Sequence, residues 1–303
     1  MNLKSWIEAV KHPFRTVYRV ISEFLGDDGP FIAAGIAFYA FFSLFPLVLI
    51  SVAILSYVYT PEEAITGAIS LAALFVPRDM SSFLESNVRE LFKSGNKVGL
   101  AGILILLWSG RQLFRAMELS LHRAWDIPLN RNWLVGNLLA MMLVLLNTAV
   151  VLGVGAISIF LTWARHRVES VSLPHLMDEG WTWADAYFFS HIHSWIVVPG
   201  AVALMFLMLY MILPSQQVPV AMAIPGALFA SAAWKFSSWL YLTYILRFGS
   251  QNPLYGTIWS IVGLLVWLYI QASVFMLGAE LVFVTMDSSD RAILGASGKK
   301  KKR

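Results

Sequence analysis

The sequence predicts an all-α fold, a polytopic membrane helix bundle with six transmembrane helices, amphipathic interfacial helices and both termini in the cytoplasm. The first observation is composition, because 58% of the 303 residues are hydrophobic and only 13% are charged, against about 25% charged in a soluble domain. The second is the 14% aromatic content, with 12 Trp, which is typical of interfacial belts. The third is the absence of Cys, which excludes disulfides and thiolate metal sites.

The chain divides into three predicted regions. Residues 1–29 form a basic amphipathic interfacial helix, since apolar residues recur at helical spacing opposite Lys and Arg, and such a helix lies on an anionic membrane surface. Pro13 divides this helix into two pieces. Residues 30–286 form the six-span membrane domain, and residues 287–303 form a basic disordered cytoplasmic tail. The spans are predicted at about 31–59, 98–121, 133–163, 186–213, 220–246 and 256–286, with an outer helical insertion at 60–97.

Two prolines stand out inside the predicted spans, Pro46 in the first and Pro199 in the fourth. Proline lacks the N–H that would continue the helical ladder, so both residues are candidates for helix kinks. A simple kink and a hinge used in transport both remain open. The third span is about 46 Å long if fully helical, so it must tilt or protrude. Its Gly153 and Gly155 allow a neighbouring helix to approach closely.

The insertion at 60–97 is too polar to span and contains two candidate short helices, at 62–75 and 82–93. The second helix opens with a potential capping box, Ser82 with Glu85. Its apolar and polar side chains separate cleanly onto two faces, so we expect it to lie flat at the outer surface. Residues 164–185 carry both signs of charge and are predicted to be a loop.

The second span carries a polar stripe on one helical face. Arg111, Arg115, Glu118 and His122 follow one another at spacings of 4, 3 and 4. At 3.6 residues per turn they lie within an arc of roughly 60°. Lipid cannot receive such a stripe, so neighbouring helices must.

Two other spans each carry an ionisable residue, Lys235 in the fifth and Glu280 in the sixth. A lone charge at the bilayer centre costs at least about 3 kcal/mol. We therefore expect Arg115 and Glu118 to pair along their helix, and one of the two Glu to neutralise Arg111 or Arg115 across the bundle. Three interpretations of these charges stay open: a structural ion-pair network, a polar cavity that receives anionic head groups, and a proton relay.

The distribution of Lys and Arg indicates the orientation. Six spans with both termini inside place 12 of these cations in the cytoplasm and 7 outside. This asymmetry agrees with the positive-inside rule.

Several stretches, in their order and spacing, resemble the YihY/BrkB family of bacterial inner-membrane proteins. They are residues 38–46 (FYAFFSLFP), 119–128 (LSLHRAWDIP), 225–228 (PGAL), 255–257 (YGT), 264–269 (LLVWLY) and 278–281 (GAEL). One departure is His122, where the family pattern has Asn. The resemblance implies a multi-pass protein of the bacterial inner (plasma) membrane with six helices. It also brings a link to serum resistance and an old label, ribonuclease BN, but no agreed molecular activity.

The sequence holds no Walker loop, nucleophile elbow or H-E-x-x-H motif. His191 and His193 lie about 200° apart on a helix, which is wrong for one metal ion. A nuclease needs carboxylates for two metals or a paired acid and base on an aqueous face, whereas the membrane carboxylates here are few. We therefore expect no enzymatic activity, no metal, no cofactor and no nucleic-acid partner.

The leading hypothesis is a transporter or translocator of a lipid-like or anionic amphipathic envelope molecule, without its own ATPase. Its support is the cationic stripe, the interfacial helices and the two proline-containing spans. The candidate residues are Arg111, Arg115, Glu118, Lys235 and Glu280. The expected partners are membrane lipids with anionic head groups; a homo-oligomer or an envelope-protein partner stays open. The alternatives are a membrane scaffold that supports envelope integrity and a channel for ions or small solutes.

Overall fold

The computed structural model describes residues 12–56, 59–72, 85–86, 89–90, 96–128, 132–171, 193–216, 218–248 and 256–286. Within these ranges the chain is all helical, with short turns and no strand. The helices are α1 (Pro13–Gly26), α2 (Gly29–Leu55), α3 (Pro61–Ala72), α4 (Asn96–Ala124), α5 (Trp133–Val171), α6 (Val198–Ile212), α7 (Val220–Phe248) and α8 (Gly256–Thr285). A π-helical turn, His193–Val197, leads directly into α6.

Long helices occupy the six regions where spans are predicted. Four stretches in the described part of the chain are long and apolar enough to cross a membrane: Leu134–Ile157, Ser194–Ile212, Val220–Tyr244 and Ile261–Thr285. In α2 the apolar stretch Gly29–Leu44 is shorter. α4 has the length of a span but carries the polar stripe. The structure therefore supports an all-helical membrane protein with four candidate spans.

The end of α5 differs from the prediction. The helix continues to Val171, so residues 164–171 are helical and the predicted loop cannot begin at 164. The charged sequence of this stretch suggested a loop because it cannot lie in hydrocarbon. A helix that protrudes beyond the apolar layer needs no apolar residues, and its backbone hydrogen bonds continue unchanged.

α1 begins at Pro13, which occupies the first helical turn, where its missing N–H costs nothing. Val20 and Phe24 are buried where α1 packs on α8 and α2. The apolar face predicted from the sequence points elsewhere, with Phe14 91% and Leu25 58% exposed. α1 thus has one edge in the bundle and an apolar face available to a membrane surface. Residues 1–11 lie outside the described ranges.

α3 begins with a capping box that the sequence analysis did not single out. The backbone N–H and the hydroxyl of Thr60 donate to Glu63 Oε2 at 2.9 and 2.7 Å. These bonds hold the pKa of Glu63 below its ordinary value. Ser82, half of the predicted capping box, lies outside the described ranges.

Arg89 connects α3 to the second half of the insertion. Its Nε donates to Glu85 at 2.9 Å, and its guanidinium also forms an ion pair with Glu62 on α3. Both carboxylates raise the pKa of Arg89. Residues 85–86 and 89–90 are helical, as expected for this segment.

The bundle core consists of two clusters. We call the end of the bundle where α4, α6 and α8 finish the lower end, and the opposite end the upper end. The lower cluster centres on Trp125, Tyr210 and Phe275. Trp125 Nε1 donates to Ala279 O at 2.8 Å, and the Tyr210 hydroxyl donates to Phe275 O at 2.7 Å. The upper cluster, at the opposite end, contains Trp267, which is 1% exposed.

Two glycines set the separation of α7 and α8. A Cβ added at Gly226 would lie 2.5 Å from Gly278 O, and one added at Gly278 would lie 3.0 Å from Gly226 O. Only glycine permits two helices to approach this closely. By contrast, no described atom outside its own helix lies within 4 Å of a Cβ at Gly153. The space that Gly153 leaves is therefore not used by another described helix, and the expectation that Gly153 and Gly155 allow close approach stays a prediction.

Candidate functional site

A polar cavity of about 210 Å³ lies between α4 and α5 in the lower half of the bundle. Its wall combines charged, amide and apolar side chains. They are Arg111, Gln112, Phe114, Arg115 and Glu118 from α4, Gly136, Asn137, Leu139 and Ala140 from α5, and Leu213 after α6. The volume is below the about 300–1,000 Å³ of pockets that enclose a whole drug-sized ligand. It admits a small polar group and excludes a whole lipid.

The α4 side of the cavity is the predicted polar stripe. Arg111, Arg115 and Glu118 all line it because their spacing places them on one helical face. Arg115 Nη1 donates to Glu118 Oε2 at 3.1 Å, an ion pair along the helix. The Glu118 side chain is 5% exposed and that of Arg115 is 52% exposed. A buried carboxylate joined to a half-exposed cation is stable only while the cation stays close.

The α5 side supplies the cross-helix partner of Arg111. Arg111 Nε donates to Asn137 Oδ1 at 2.5 Å. Asn137 lies in the second turn of α5, next to Gly136, whose lack of a side chain leaves space in the wall. Arg111 lies about 20 Å from the end of α4 at Ala124. The bond joins the guanidinium on α4 to the side-chain amide on α5.

This arrangement differs from the expected pairing in one respect. The Arg–Glu pair runs along α4, between Arg115 and Glu118, whereas the bond that crosses to another helix joins Arg111 to a neutral amide. Asn137 is recognisable in the sequence only as an isolated polar residue in an apolar span. Its neighbour on α4 depends on the packing of two helices, which no spacing rule specifies.

Exposed apolar side chains follow two of the lining residues directly in the sequence. Leu119 directly follows Glu118 and is 47% exposed, and Leu138 directly follows Asn137 and is 71% exposed. On a membrane protein, such residues contact acyl chains. α4 and α5 therefore carry exposed apolar side chains as well as the polar residues that line the cavity.

Lys235 is not brought to this cavity. Its Nζ donates to Ser194 O at 3.1 Å and lies 5.3 Å from the centroid of the Trp195 ring. Pro199, near the start of α6, lacks the N–H that a carbonyl one turn earlier normally receives. Lys235 supplies a donor to that widened turn, and Ser231 Oγ donates to Pro199 O at 2.7 Å. The structure thus places Pro199 at a helix start, in contact with α7.

Glu280 also lies away from the cavity wall. It is fully buried in α8, next to Ala279, the residue that accepts the Trp125 indole hydrogen bond. Pro46 lies within α2, whose helical pattern continues through it. Of the five predicted ionisable residues, the structure brings Arg111, Arg115 and Glu118 together.

His122, the last residue of the stripe, lies beneath the cavity and is 3% exposed. The Ser215 N–H donates to His122 Nε2 at 3.1 Å. Because Nε2 accepts, the ring proton lies on Nδ1, which donates to Ile127 O at 3.2 Å. His122 therefore ties the turn after α4 to the connection between α6 and α7, which carries the lining residue Leu213.

The described residues contain no group of three or more His, Cys, Asp or Glu side chains placed to hold a metal ion. What this wall offers chemically is hydrogen bonding and charge: two guanidinium groups, two amides and one carboxylate. Guanidinium forks bind phosphate and carboxylate groups in a bidentate manner.

The chain is similar to known membrane proteins over most of its length. A family model described as "Virulence factor BrkB" matches residues 20–303. The ribonuclease-like protein YfkH of Bacillus subtilis is 25% identical over 264 residues, covering 86% of this chain and 92% of that protein. The UPF0761 membrane protein PSHAa0171 of Pseudoalteromonas translucida is 29% identical over 258 residues, covering 84% of this chain and 81% of that protein. No solved structure matches the chain.

Proposed function

The chain belongs to the BrkB family of integral membrane proteins, and from this premise we propose that it translocates a lipid-like or anionic amphipathic envelope molecule. The observation that carries the proposal is the cavity between α4 and α5. It combines two guanidinium groups with a small polar volume. The proposed substrate places its head group there and leaves its apolar part outside.

The dimensions of the site favour a head group as the occupant. A volume of about 210 Å³ is below the 300–1,000 Å³ of pockets that enclose whole drug-sized ligands. The exposed Leu119 and Leu138 beside the wall give the rest of an amphipathic molecule an apolar surface. A solute without an apolar part would make no use of these side chains.

The charge of the site favours an anion. Arg111 is held deep in α4, and a cation at that depth is costly unless its partners repay the lost hydration. An anionic head group would add to the bond with Asn137, because its oxygens match the guanidinium fork. This argument distinguishes a binding role from the scaffold alternative, in which Arg111 only joins α4 to α5.

The proposed topology has six spans with both termini in the cytoplasm of the inner (plasma) membrane, which makes the lower end cytoplasmic. Residues 1–29 form the interfacial helix, residues 60–97 the outer insertion and residues 287–303 the cytoplasmic tail. The Lys and Arg distribution supports this orientation. The proposal includes no enzymatic activity, cofactor or nucleic-acid partner. Energy for transport would come from a gradient or a partner protein, since no nucleotide motif is present in the sequence.

Substitution of Arg111 tests the proposal. We expect Arg111→Ala to abolish complementation of the envelope phenotype of a deletion strain while the protein stays folded and inserted. Arg111→Lys should complement partly, because a point charge cannot reproduce a planar fork. The measurements are complementation, membrane abundance and melting temperature of the purified protein.

Arg123→Ala is the matched control on the same helix. Arg123 is half exposed, lies outside the cavity and pairs with Asp28 at the surface, where an ion pair contributes little. Full complementation by Arg111→Ala would contradict the head-group role and favour a scaffold. A large loss of abundance or melting temperature in Arg111→Ala alone would make the residue structural.

A further inference from the structure

We infer that the cavity selects a phosphodiester head group with a single negative charge over a phosphomonoester, and that Glu118 is the residue that sets this preference. The inference rests on the proposed function and names the substrate class of the same site. It follows from the charge balance of the wall, from the burial of Glu118 and from the way Arg111 is held.

The charge balance comes first. The cavity wall carries the guanidinium groups of Arg111 and Arg115 and the carboxylate of Glu118, a formal charge of +1. A phosphodiester, with one negative charge, neutralises it. A phosphomonoester carries about −1.5 to −2 near pH 7, so it would leave excess negative charge beside the buried carboxylate of Glu118. Uncompensated charge in such an environment is strongly unfavourable.

The position of Glu118 gives its charge particular weight. Its side chain is 5% exposed, whereas Arg115, its partner at 3.1 Å, is 52% exposed. Water screens the half-exposed guanidinium more than the buried carboxylate. A ligand inside the cavity therefore experiences the repulsion of Glu118 with less screening than the attraction of Arg115. Each additional negative charge on the ligand raises the penalty.

The way Arg111 is held indicates the geometry of recognition. Its Nε is used by Asn137 Oδ1 on α5, which fixes the plane of the guanidinium relative to both helices. A planar, fixed fork recognises two oxygens on one phosphorus atom. A phosphodiester offers two non-bridging oxygens, which suits this arrangement.

Gln112 provides a matched position for changing the charge in the opposite direction. It lines the same cavity, is partly buried and is neutral. Gln112→Glu adds a carboxylate of nearly the same shape, and Glu118→Gln removes one in the same way. The two variants bring the formal charge of the wall to 0 and +2.

The experiment measures binding of two lipids with identical acyl chains, phosphatidylglycerol and phosphatidic acid, to the purified full-length protein in detergent by native mass spectrometry. We expect the unsubstituted protein to prefer phosphatidylglycerol. Glu118→Gln should shift the affinity ratio toward phosphatidic acid by about fivefold or more, since one buried unit charge is removed. Gln112→Glu should weaken the binding of both lipids, and it should weaken the binding of phosphatidic acid more. Arg111→Gln should weaken both lipids together.

Several outcomes would overturn this inference. The first is a preference of the unsubstituted protein for phosphatidic acid. The second is an affinity ratio of the two lipids that is unchanged in Glu118→Gln, while Arg111→Gln still weakens the binding of both lipids. The second result would leave the proposed function standing, whereas normal binding of both lipids to Arg111→Gln would remove it as well. If Glu118→Gln does not fold, Gln112→Glu becomes the test of the inference. An affinity ratio of the two lipids that is unchanged in Gln112→Glu then counts against it. Soluble glycerophosphoglycerol binding as tightly as phosphatidylglycerol would show that the ligand is a free phosphodiester and overturn its assignment as a lipid.

Discussion

His122 shows how one buried side chain joins separate parts of this bundle. One ring nitrogen accepts from the Ser215 N–H and the other donates to Ile127 O. Two backbone groups at the lower end thus depend on one imidazole. The resemblance described above implies Asn at this position, and an Asn amide likewise offers both a donor and an acceptor.

We predict that His122→Leu destabilises the protein by about 1–3 kcal/mol for each backbone group left without its partner. His122→Asn should retain most of the stability. Thermal unfolding of the purified protein measures the loss, and hydrogen exchange at residues 213–216 locates it. Equal melting temperatures for the Leu variant and the unsubstituted protein would show that these two bonds contribute nothing.

Individual residues of the site were predictable where one helix suffices to place them. The spacing of Arg111, Arg115 and Glu118 puts them on one face of any helix, and the structure gathers them around one cavity. Asn137 was not predictable as the partner of Arg111, because that bond depends on how α5 is rotated against α4. The same applies to Lys235, whose partner is a carbonyl in a turn modified by Pro199.

At the scale of helices, α7 and α8 approach each other closely at Gly226 and Gly278. A side chain at Gly278 would meet Ala230 Cβ at 2.9 Å and Gly226 O at 3.0 Å. The motifs around residues 225–228 and 278–281 therefore meet in space, and Trp125 from a third motif bonds to Ala279. Three separated stretches of sequence build one junction at the lower end.

We predict that Gly278→Ala lowers stability by about 1–3 kcal/mol, the usual cost of overpacking. Gly153→Ala is the control, since no described atom outside its helix lies within 4 Å of that position, and it should be neutral or slightly stabilising. Melting temperatures of both variants in the same detergent provide the comparison. An equal effect of the two substitutions would mean that the separation of α7 and α8 is adjustable.

The rotation of helices is the part of the fold that the sequence could not specify. α7 and α8 are apolar on nearly all sides, so no amphipathic pattern indicates which face meets which neighbour. α4 is the opposite case, because its polar stripe indicates the face that meets α5 around the cavity. Helix boundaries were least predictable where a helix continues through charged residues, as α5 does at residues 164–171.

On the scale of the whole molecule, the exposed surface is that of a protein surrounded by lipid. Large apolar side chains are exposed along α5 and α7, among them Leu138, Leu145, Phe236 and Trp239. Exposed apolar patches of this extent require a membrane or another chain to cover them. The ionisable residues that we assign to the bundle interior instead have partners such as Asn137, Glu118 and Ser194. Together these features explain why the composition alone identifies the class of protein.

The proposed topology leads to the last prediction, which the absence of native Cys makes simple to test. Single cysteines at Ser70 on α3, at Asn130 between α4 and α5, and at Ser297 in the tail report the side of the membrane. If both termini are cytoplasmic, a membrane-impermeant maleimide labels Ser70→Cys in intact cells. It should label Asn130→Cys and Ser297→Cys only after permeabilisation, because α4 separates residue 70 from residue 130 and an even number of spans precedes the tail. The reversed pattern would invert the orientation and place the Arg111 cavity toward the outside, whereas equal labelling of Ser70→Cys and Asn130→Cys in intact cells would mean that α4 does not cross the membrane.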